Sequence, residues 1–279
     1  MISGRTALYG VVGHPVAHSL SPAMHNAAFG ELGLDATYVA LPVAPERLAE
    51  ALRGAHALGF QGLNVTVPHK QPAREQCLRL DATAEACGAV NTLRRVAEGW
   101  EGSNTDAPAC RALLEAAGVR RGARALLLGA GGAALAGAWA LAGLGAEVAV
   151  AARRPEASAE LCRRIGAVFP EGPRPCPAPW AELPSLAAPA DVVVNGTSIG
   201  LGGADPGFPP FAFRRGQVAV DFVYGDTAFA RRAREEGATL VSGEQILVRQ
   251  GALAFNLWTG REPPEAVMAA ALRSAQHGR

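Results

Sequence analysis

At 279 residues the chain has room for two domains of ordinary size, each with its own core. Hydrophobic residues make up 49%, charged residues 18%, and the formal net charge is +1, which argues against disorder, an acidic tail or a nucleic-acid partner and fits a small ligand. The longest apolar stretches, such as Ala133 to Leu144, fall short of the ~20 residues a membrane span needs and are broken by Gly137 and Gly143.

The first residues lack the charged, apolar and small-residue succession of a secretion signal, so a cytoplasmic protein without a membrane partner is expected. Five cysteines, at 77, 87, 110, 162 and 176, show no C-x-x-C and point to reduced thiols rather than a disulfide frame or a zinc site. Of the 26 basic residues, 25 are arginine and only Lys70 is lysine. Arginine cannot give up a proton, so the asymmetry acquires meaning if Lys70 lies in a site.

In chain order, Thr6 to Val12 reads as a strand, and Ser21-Pro22 as an N-cap with proline at the first helical position of a helix closed by Gly33. Tyr38 to Val43 is a second strand. Pro45 opens the next helix, with Leu48, Leu52 and Leu58 on its apolar side and Gly59 at its end. Asn64 to Val67 is a third strand, stopped by Pro68, and Lys70 follows just past its C-terminal end, where open α/β sheets place ligands. Ala89 to Val96 and a turn near Gly99 lead to Asn104-Thr105-Asp106, which caps a helix reaching Gly118. This rhythm predicts an α/β layer architecture.

A second α/β unit starts with the strand Arg124 to Leu128, which runs into Gly129-Ala130-Gly131-Gly132-Ala133-Ala134, a G-x-G-x-x-A pattern. A helix to about Leu144 and the strand Glu147 to Ala151 complete a βαβ unit of the length a dinucleotide site uses. Further strands are expected at Asp191 to Asn195 and Val218 to Phe222, with a Pro-rich connection from Glu171 to Pro184. Helices at Gly243 to Trp258 and Pro264 to Gln276 are expected to return to the first domain.

In this setting Gly129 permits the tight turn, Gly131 lets backbone approach a pyrophosphate, and the helix N-terminus supplies N–H donors. An acidic residue at the end of the second strand would bond a ribose 2′-OH; Arg153-Arg154 stand there instead, which favours NADP. Arg-Arg pairs also occur at 94, 120, 163, 214 and 231 as ordinary surface, so the position carries the argument. The first domain clusters small polar residues at strand ends and helix starts: His18-Ser19-Leu20-Ser21-Pro22, Asn64-Val65-Thr66-Val67-Pro68-His69-Lys70, Gly88-Ala89-Val90-Asn91-Thr92 and Asn104-Thr105-Asp106. Each alone reads first as capping or turn chemistry; together, with Lys70 and one carboxylate, they suit a polyhydroxylated carboxylic acid. A hydride arriving at a carbonyl carbon leaves charge on oxygen, and a lysine ammonium can both stabilise that charge and donate the proton. His14, His18, His25 and His69 lie near these loops without a carboxylate cluster, so no metal is expected.

These segments resemble, in order along nearly the whole chain, those of the shikimate dehydrogenase family, as do Asn195-Gly-Thr-Ser-Ile-Gly200, Asp221-Phe-Val-Tyr224 and Gly243-Glu-Gln-Ile-Leu-Val-Arg-Gln250. The resemblance implies an N-terminal α/β substrate domain (1–105, with 246–279 packed back on it) plus a Rossmann-like NADP-binding domain (106–245), with a cleft between them. It implies NADPH-dependent reduction of 3-dehydroshikimate to shikimate, a step of aromatic amino acid and chorismate biosynthesis, by a monomer or homodimer. Ser19 and Ser21 would hold the substrate carboxylate, and Thr66, Asn91, Asp106, Tyr224 and Gln250 would contact the ring and its hydroxyls, with Asn64 lining the same pocket. Lys70 and Asp106 would be the catalytic pair. Gly129, Ala130, Gly131, Gly132, Ala133, Arg153, Phe222 and Gly243 would face the cofactor, joined by Arg154 and Thr197.

The sequence departs from the family at Ala152-Arg153-Arg154, where Asn-Arg-Thr is usual, at Ala157 in place of a basic residue, and at Ser198 in place of proline. An enzyme of dual quinate and shikimate specificity, and a non-catalytic NADP-binding homologue, are the alternative readings.

Overall fold

The computed structural model describes residues 2–200 and 211–277. Met1–Thr105 with Leu247–Arg279 form one compact unit and Asp106–Ile246 another.

The first unit opens with β1 (Ala7–Gly13), α1 (Ser21–Glu31), β2 (Ala36–Pro42), α2 (Leu48–Ala57) and β3 (Phe60–Val65), followed by β4 (Arg79–Leu80), α3 (Ala82–Cys87), β5 (Thr92–Val96) and β6 (Gly99–Ser103). Its sheet runs β2-β1-β3-β5-β6-β4. The βα rhythm makes β1, β2 and β3 parallel, whereas β5 and β6 form an antiparallel hairpin. Only β5 of that hairpin is readable from the sequence, because Gly99–Ser103 carries two glycines and little β-branching. The N-cap of α1 is Leu20, not Ser21: Leu20 already has helical backbone angles, so Ser21 becomes the first helical residue, and it is buried. On α2 the apolar face is Leu48, Leu52 and Ala55 at helical spacing, each buried leucine contributing about 1.5–3 kcal/mol. Leu58 does not belong to it; the helix ends at Ala57 and Leu58 is 74% exposed.

The second unit holds α4 (Asp106–Ala116), β7 (Arg124–Leu128), α5 (Gly132–Gly143), β8 (Glu147–Ala151), α6 (Pro155–Val168), β9 (Cys176–Ala178), α7 (Leu183–Ala187), β10 (Val192–Asn195), β11 (Val218–Asp221), α8 (Ala228–Glu235) and β12 (Thr239–Val241). Its sheet runs β12-β11-β10-β7-β8-β9 and every pair is parallel. That is the doubly wound dinucleotide-binding order, and its direction reverses between β7 and β10. Side-chain alternation on β7 feeds two cores: Ala125 and Leu127 pack with α5 residues such as Leu141, and Leu126 and Leu128 with Phe229 and Leu183. The Pro-rich connection contributes β9 as an edge strand on β8.

Two helices end the chain, α9 (Gly243–Thr259) and α10 (Glu265–His277). From Leu247 onward they belong to the first unit, where α10 lies on α1. Trp258 covers β3 at Gly62, where a Cβ would fall 2.3 Å from the indole nitrogen, and its N–H donates to the Leu93 carbonyl at 2.9 Å.

Candidate active site

In the first unit the polar residues at the strand ends form one buried network. Asn64, at the C-terminal end of β3, accepts from the Tyr38 O–H at 2.7 Å and donates to the Asn91 carbonyl and Thr92 Oγ1 at 3.1 and 3.2 Å. Asn91 Oδ1 accepts from the Thr105 N–H at 2.8 Å and from the Thr92 hydroxyl at 3.1 Å. Its Nδ2 donates to Thr105 Oγ1 at 2.9 Å and to Gln250 Oε1, on α9, at 3.3 Å. The structure thus brings Asn64, Asn91 and Gln250 together, all buried. Leaving any of these groups unpartnered would cost about 1–3 kcal/mol, so the network is rigid. Ser19 lies just before α1 and its Oγ accepts from the Ser21 N–H at 3.3 Å. Thr66, half-buried, follows β3 with its N–H on the Val12 carbonyl at 2.9 Å.

Lys70 sits five residues past the end of β3, in a segment held by its backbone. The His69 N–H donates to the Thr66 carbonyl at 2.9 Å, the His69 ring nitrogen Nε2 lies 2.7 Å from the Val43 carbonyl, and the Val90 N–H donates to the Lys70 carbonyl at 2.8 Å. His69 is therefore a buried structural histidine. Asp106 is the first residue of α4 and is buried; burial and, next, the Asp106 charge push the Cys110 thiol one turn later up to about 12. Asn91, through Thr105, anchors the residue immediately before Asp106.

In the second unit the reversal point is built from backbone. Gly129 ends the β7 turn at φ +100°, which disfavours any side chain, and a Cβ there would lie 2.9 Å from the Gly196 carbonyl oxygen. Gly196, after β10, is pressed against α5: a Cβ would lie 2.7 Å from Ala134 Cα. Gly131 is the N-cap of α5 and, like Gly132, has nothing within 4 Å of an added Cβ. Gly131 has no side chain to cap α5, whose first turn carries no acid. Ala130 and Ala133 are half-buried beside them. Arg153 and Arg154 follow β8, both exposed, and neither pairs with an acidic side chain among the described residues.

Around β10 and β11 the signature segments make their own hydrogen bonds. Asn195 Oδ1 accepts from the Thr197 hydroxyl at 2.6 Å, while its Nδ2 donates to Asp221 at 2.9 Å. Asp221, fully buried, also accepts from the Thr227 hydroxyl at 2.5 Å and the Val223 N–H at 3.0 Å. Burial nevertheless raises its pKa from 3.8 to about 6. Phe222 is half-buried against the α5 side of the core, and Tyr224 is half-buried in the following loop. Gly243 passes close beneath that loop, where a Cβ would be 2.6 Å from the Tyr224 nitrogen.

Thr92 and Thr105, which stand in the polar clusters of the sequence, join the network, whereas Tyr38 is a member that sequence reasoning missed. Its signal is weak, since a tyrosine in a strand is common in any sheet. Among the described residues no group of three or more His, Cys, Asp or Glu could hold a metal ion, and no helix is long and apolar enough to cross a membrane.

Two family models match the chain: the shikimate dehydrogenase substrate binding domain over residues 11–93 and the shikimate 5'-dehydrogenase C-terminal domain over residues 243–273. A protein of Anaeromyxobacter sp. (strain K) named shikimate dehydrogenase (NADP(+)) is 67% identical over 279 residues, covering 100% of both chains. One of that name from Methanothrix thermoacetophila is 44% identical, covering 96% of this chain and 97% of its own. The crystal structure of shikimate 5-dehydrogenase from Thermus thermophilus in complex with NADP(H) and shikimate superposes with a TM-score of 0.85 at 38% identity, over 96% of this chain and 99% of that one. End-to-end identity of this degree, on the strand orders described above, makes the chain a member of the shikimate dehydrogenase family.

Proposed function

We propose that the chain catalyses the reversible NADPH-dependent reduction of 3-dehydroshikimate to shikimate, feeding aromatic amino acid biosynthesis. The observation that carries this reading is the 67% identity, over the whole of both chains, to a relative named shikimate dehydrogenase (NADP(+)). The β7–α5 turn fits a dinucleotide: backbone is bare at Gly131 and Gly132, the first turn of α5 begins at a glycine and carries no acid, and two exposed arginines follow β8. NADPH, when bound, supplies the hydride.

In this reading Lys70 donates a proton to the substrate carbonyl oxygen as charge builds there, and takes it back in the oxidation direction. Asp106 is the second member of the catalytic pair and accepts from the neighbouring substrate hydroxyl. Ser19 and Ser21 hold the carboxylate, and Asn64, Thr66, Asn91, Tyr224 and Gln250 hold the ring and its hydroxyls. Gly129, Ala130, Gly131, Gly132, Ala133, Thr197, Phe222 and Gly243 would hold the cofactor, with Arg153 and Arg154 binding its 2′-phosphate. The first unit serves as the substrate domain and the second as the NADP domain. The protein acts in the cytoplasm as a monomer or homodimer on small molecules alone.

Purified protein given shikimate and NADP+ is expected to generate reduced-nicotinamide absorbance. Quinate adds a hydroxyl at the carboxylate-bearing carbon, and its kcat/KM is expected to be at least about tenfold lower, since one poorly accommodated hydroxyl costs ~1–3 kcal/mol. Equal values would assign dual specificity. Tight binding without turnover would assign a non-catalytic homologue.

A further inference from the structure

The buried network of the first unit extends past the residues expected to touch a ligand, to Tyr38 on β2. Two consecutive residues of α1 hold this tyrosine. Asn26 clamps its backbone, Nδ2 donating to the Tyr38 carbonyl and Oδ1 accepting from its N–H, both at 2.8 Å, which satisfies groups an edge strand leaves without a strand partner. His25 lies flat on the ring, with centroids 4.4 Å apart and planes within 10°. With backbone and ring both fixed, the Tyr38 O–H is aimed at Asn64 Oδ1. Burial holds the phenol well above its ordinary pKa against the lowering effect of a hydrogen bond with Ser21, so the oxygen keeps its proton and remains a donor to Asn64.

The consequence falls on Asn64. Both hydrogens of its Nδ2 are used, on the Asn91 carbonyl and on Thr92 Oγ1. Its Oδ1 accepts from Tyr38, which leaves one lone pair of that oxygen as the unspent capacity of the side chain. We propose that Tyr38 is a positioning residue for substrate binding: its buried O–H fixes where Asn64 presents that acceptor to a substrate hydroxyl. Without the O–H, Asn64 Oδ1 faces an apolar ring edge and the amide re-seats to recover a partner, carrying the lone pair away from the substrate. The proposal rests on the reading of the chain as a shikimate dehydrogenase and extends its substrate site by a residue expected to touch no ligand.

The test is Tyr38→Phe in the full-length protein, which keeps the ring stacked on His25 and removes only the oxygen. The KM for shikimate should rise about three- to tenfold, with kcat and the KM for NADP+ within about twofold of wild type. In an Asn64→Ala background the same substitution should raise the KM for shikimate by a smaller factor than in wild type, because the part that acts through Asn64 is already gone and only the Tyr38 bond with Ser21 remains to be lost. A shikimate KM within about twofold of wild type, or an equal increase on the Asn64→Ala background, would overturn the positioning role. Wild-type protein that fails to oxidise shikimate with NADP+ would instead overturn the proposed function.

Discussion

In the first unit the candidate ligand groups are side chains tied to one another: Asn64, Thr92, Asn91, Thr105 and Gln250 are buried and hydrogen-bonded in series across β3, β5 and α9. In the second the corresponding positions are mostly backbone: Gly129 and Gly196 meet at the reversal of strand order, and α5 begins at a glycine with no capping side chain. A polyhydroxylated ring must be told from its analogues, which calls for oriented donors and acceptors whose loss leaves partners stranded. A pyrophosphate needs close approach and N–H groups, which bare backbone supplies. The two designs break differently.

The largest effect expected is on rate alone. Lys70→Ala should lower kcat by ~10²–10⁴, the range for general acid–base groups, with a smaller change in KM. Because Lys70 is the only lysine, amine-selective acylation of wild type should reproduce the loss and leave the variant's residual rate unchanged. A kcat within about tenfold of wild type would remove Lys70 from proton transfer.

Next comes the backbone design. In Gly196→Ala the new Cβ would lie 2.7 Å from Ala134 Cα and 2.9 Å from its nitrogen, neither of which can swing aside. Urea unfolding should show a loss of about 1–3 kcal/mol. Gly30→Ala on α1, with nothing within 4 Å of its Cβ, should instead gain about 0.5–1 kcal/mol. Equal responses at the two glycines would mean that the reversal point is not close-packed.

These contrasts bear on what the sequence could reveal. The G-x-G-x-x-A turn was legible because one local segment carries it, and β7, α5 and β8 fall where the pattern puts them. Single polar residues at strand ends were legible too. Their joining was not, since Asn91 meets Gln250 across 159 positions and no local pattern encodes that pairing. Short elements escaped for the opposite reason: β4 has two residues, and α3 rests on one cap, the Asp81 carboxylate accepting from the Ala84 N–H at 2.6 Å. Leu58 fits an apolar periodicity that the helix does not live long enough to use.

A smaller effect is expected at the cofactor. Arg153 and Arg154 stand exposed after β8, and a charge-assisted bond to a phosphate is worth roughly 1.5–3 kcal/mol. Arg153→Ala should therefore raise the KM for NADP+ by about tenfold or more, leaving the KM for NAD+ and for shikimate nearly unchanged. A wild-type enzyme that prefers NAD+ would refute the assignment of the 2′-phosphate to these arginines.

The gentlest test sets the two units against each other through pH. His25 is buried in the first unit, neither ring nitrogen has a hydrogen-bond partner among the described residues, and burial lowers its pKa from 6.5 to about 3. Asp221 in the second unit moves the other way, from 3.8 to about 6, chiefly by burial. Below pH 6.5 the unfolded chain takes up a proton at His25 that the folded chain refuses, so stability from this group is lost as pH falls toward about 3. Above pH 3.8 the unfolded chain releases a proton from Asp221 that the folded chain keeps, so stability from that group is lost as pH rises through about 6. Between about pH 4 and 6 the two slopes are opposite in sign, each bounded by about 1.4 kcal/mol per pH unit, and they largely offset each other. His25→Phe keeps an aromatic ring among Tyr38, Phe29, Phe255 and Trp258 and should expose the Asp221 slope, a stability that falls with rising pH. Asp221→Asn should expose the His25 slope, a stability that rises. Unfolding free energies measured in urea across that window decide it, and two variants that both keep the wild-type slope would show that neither group titrates as its burial demands.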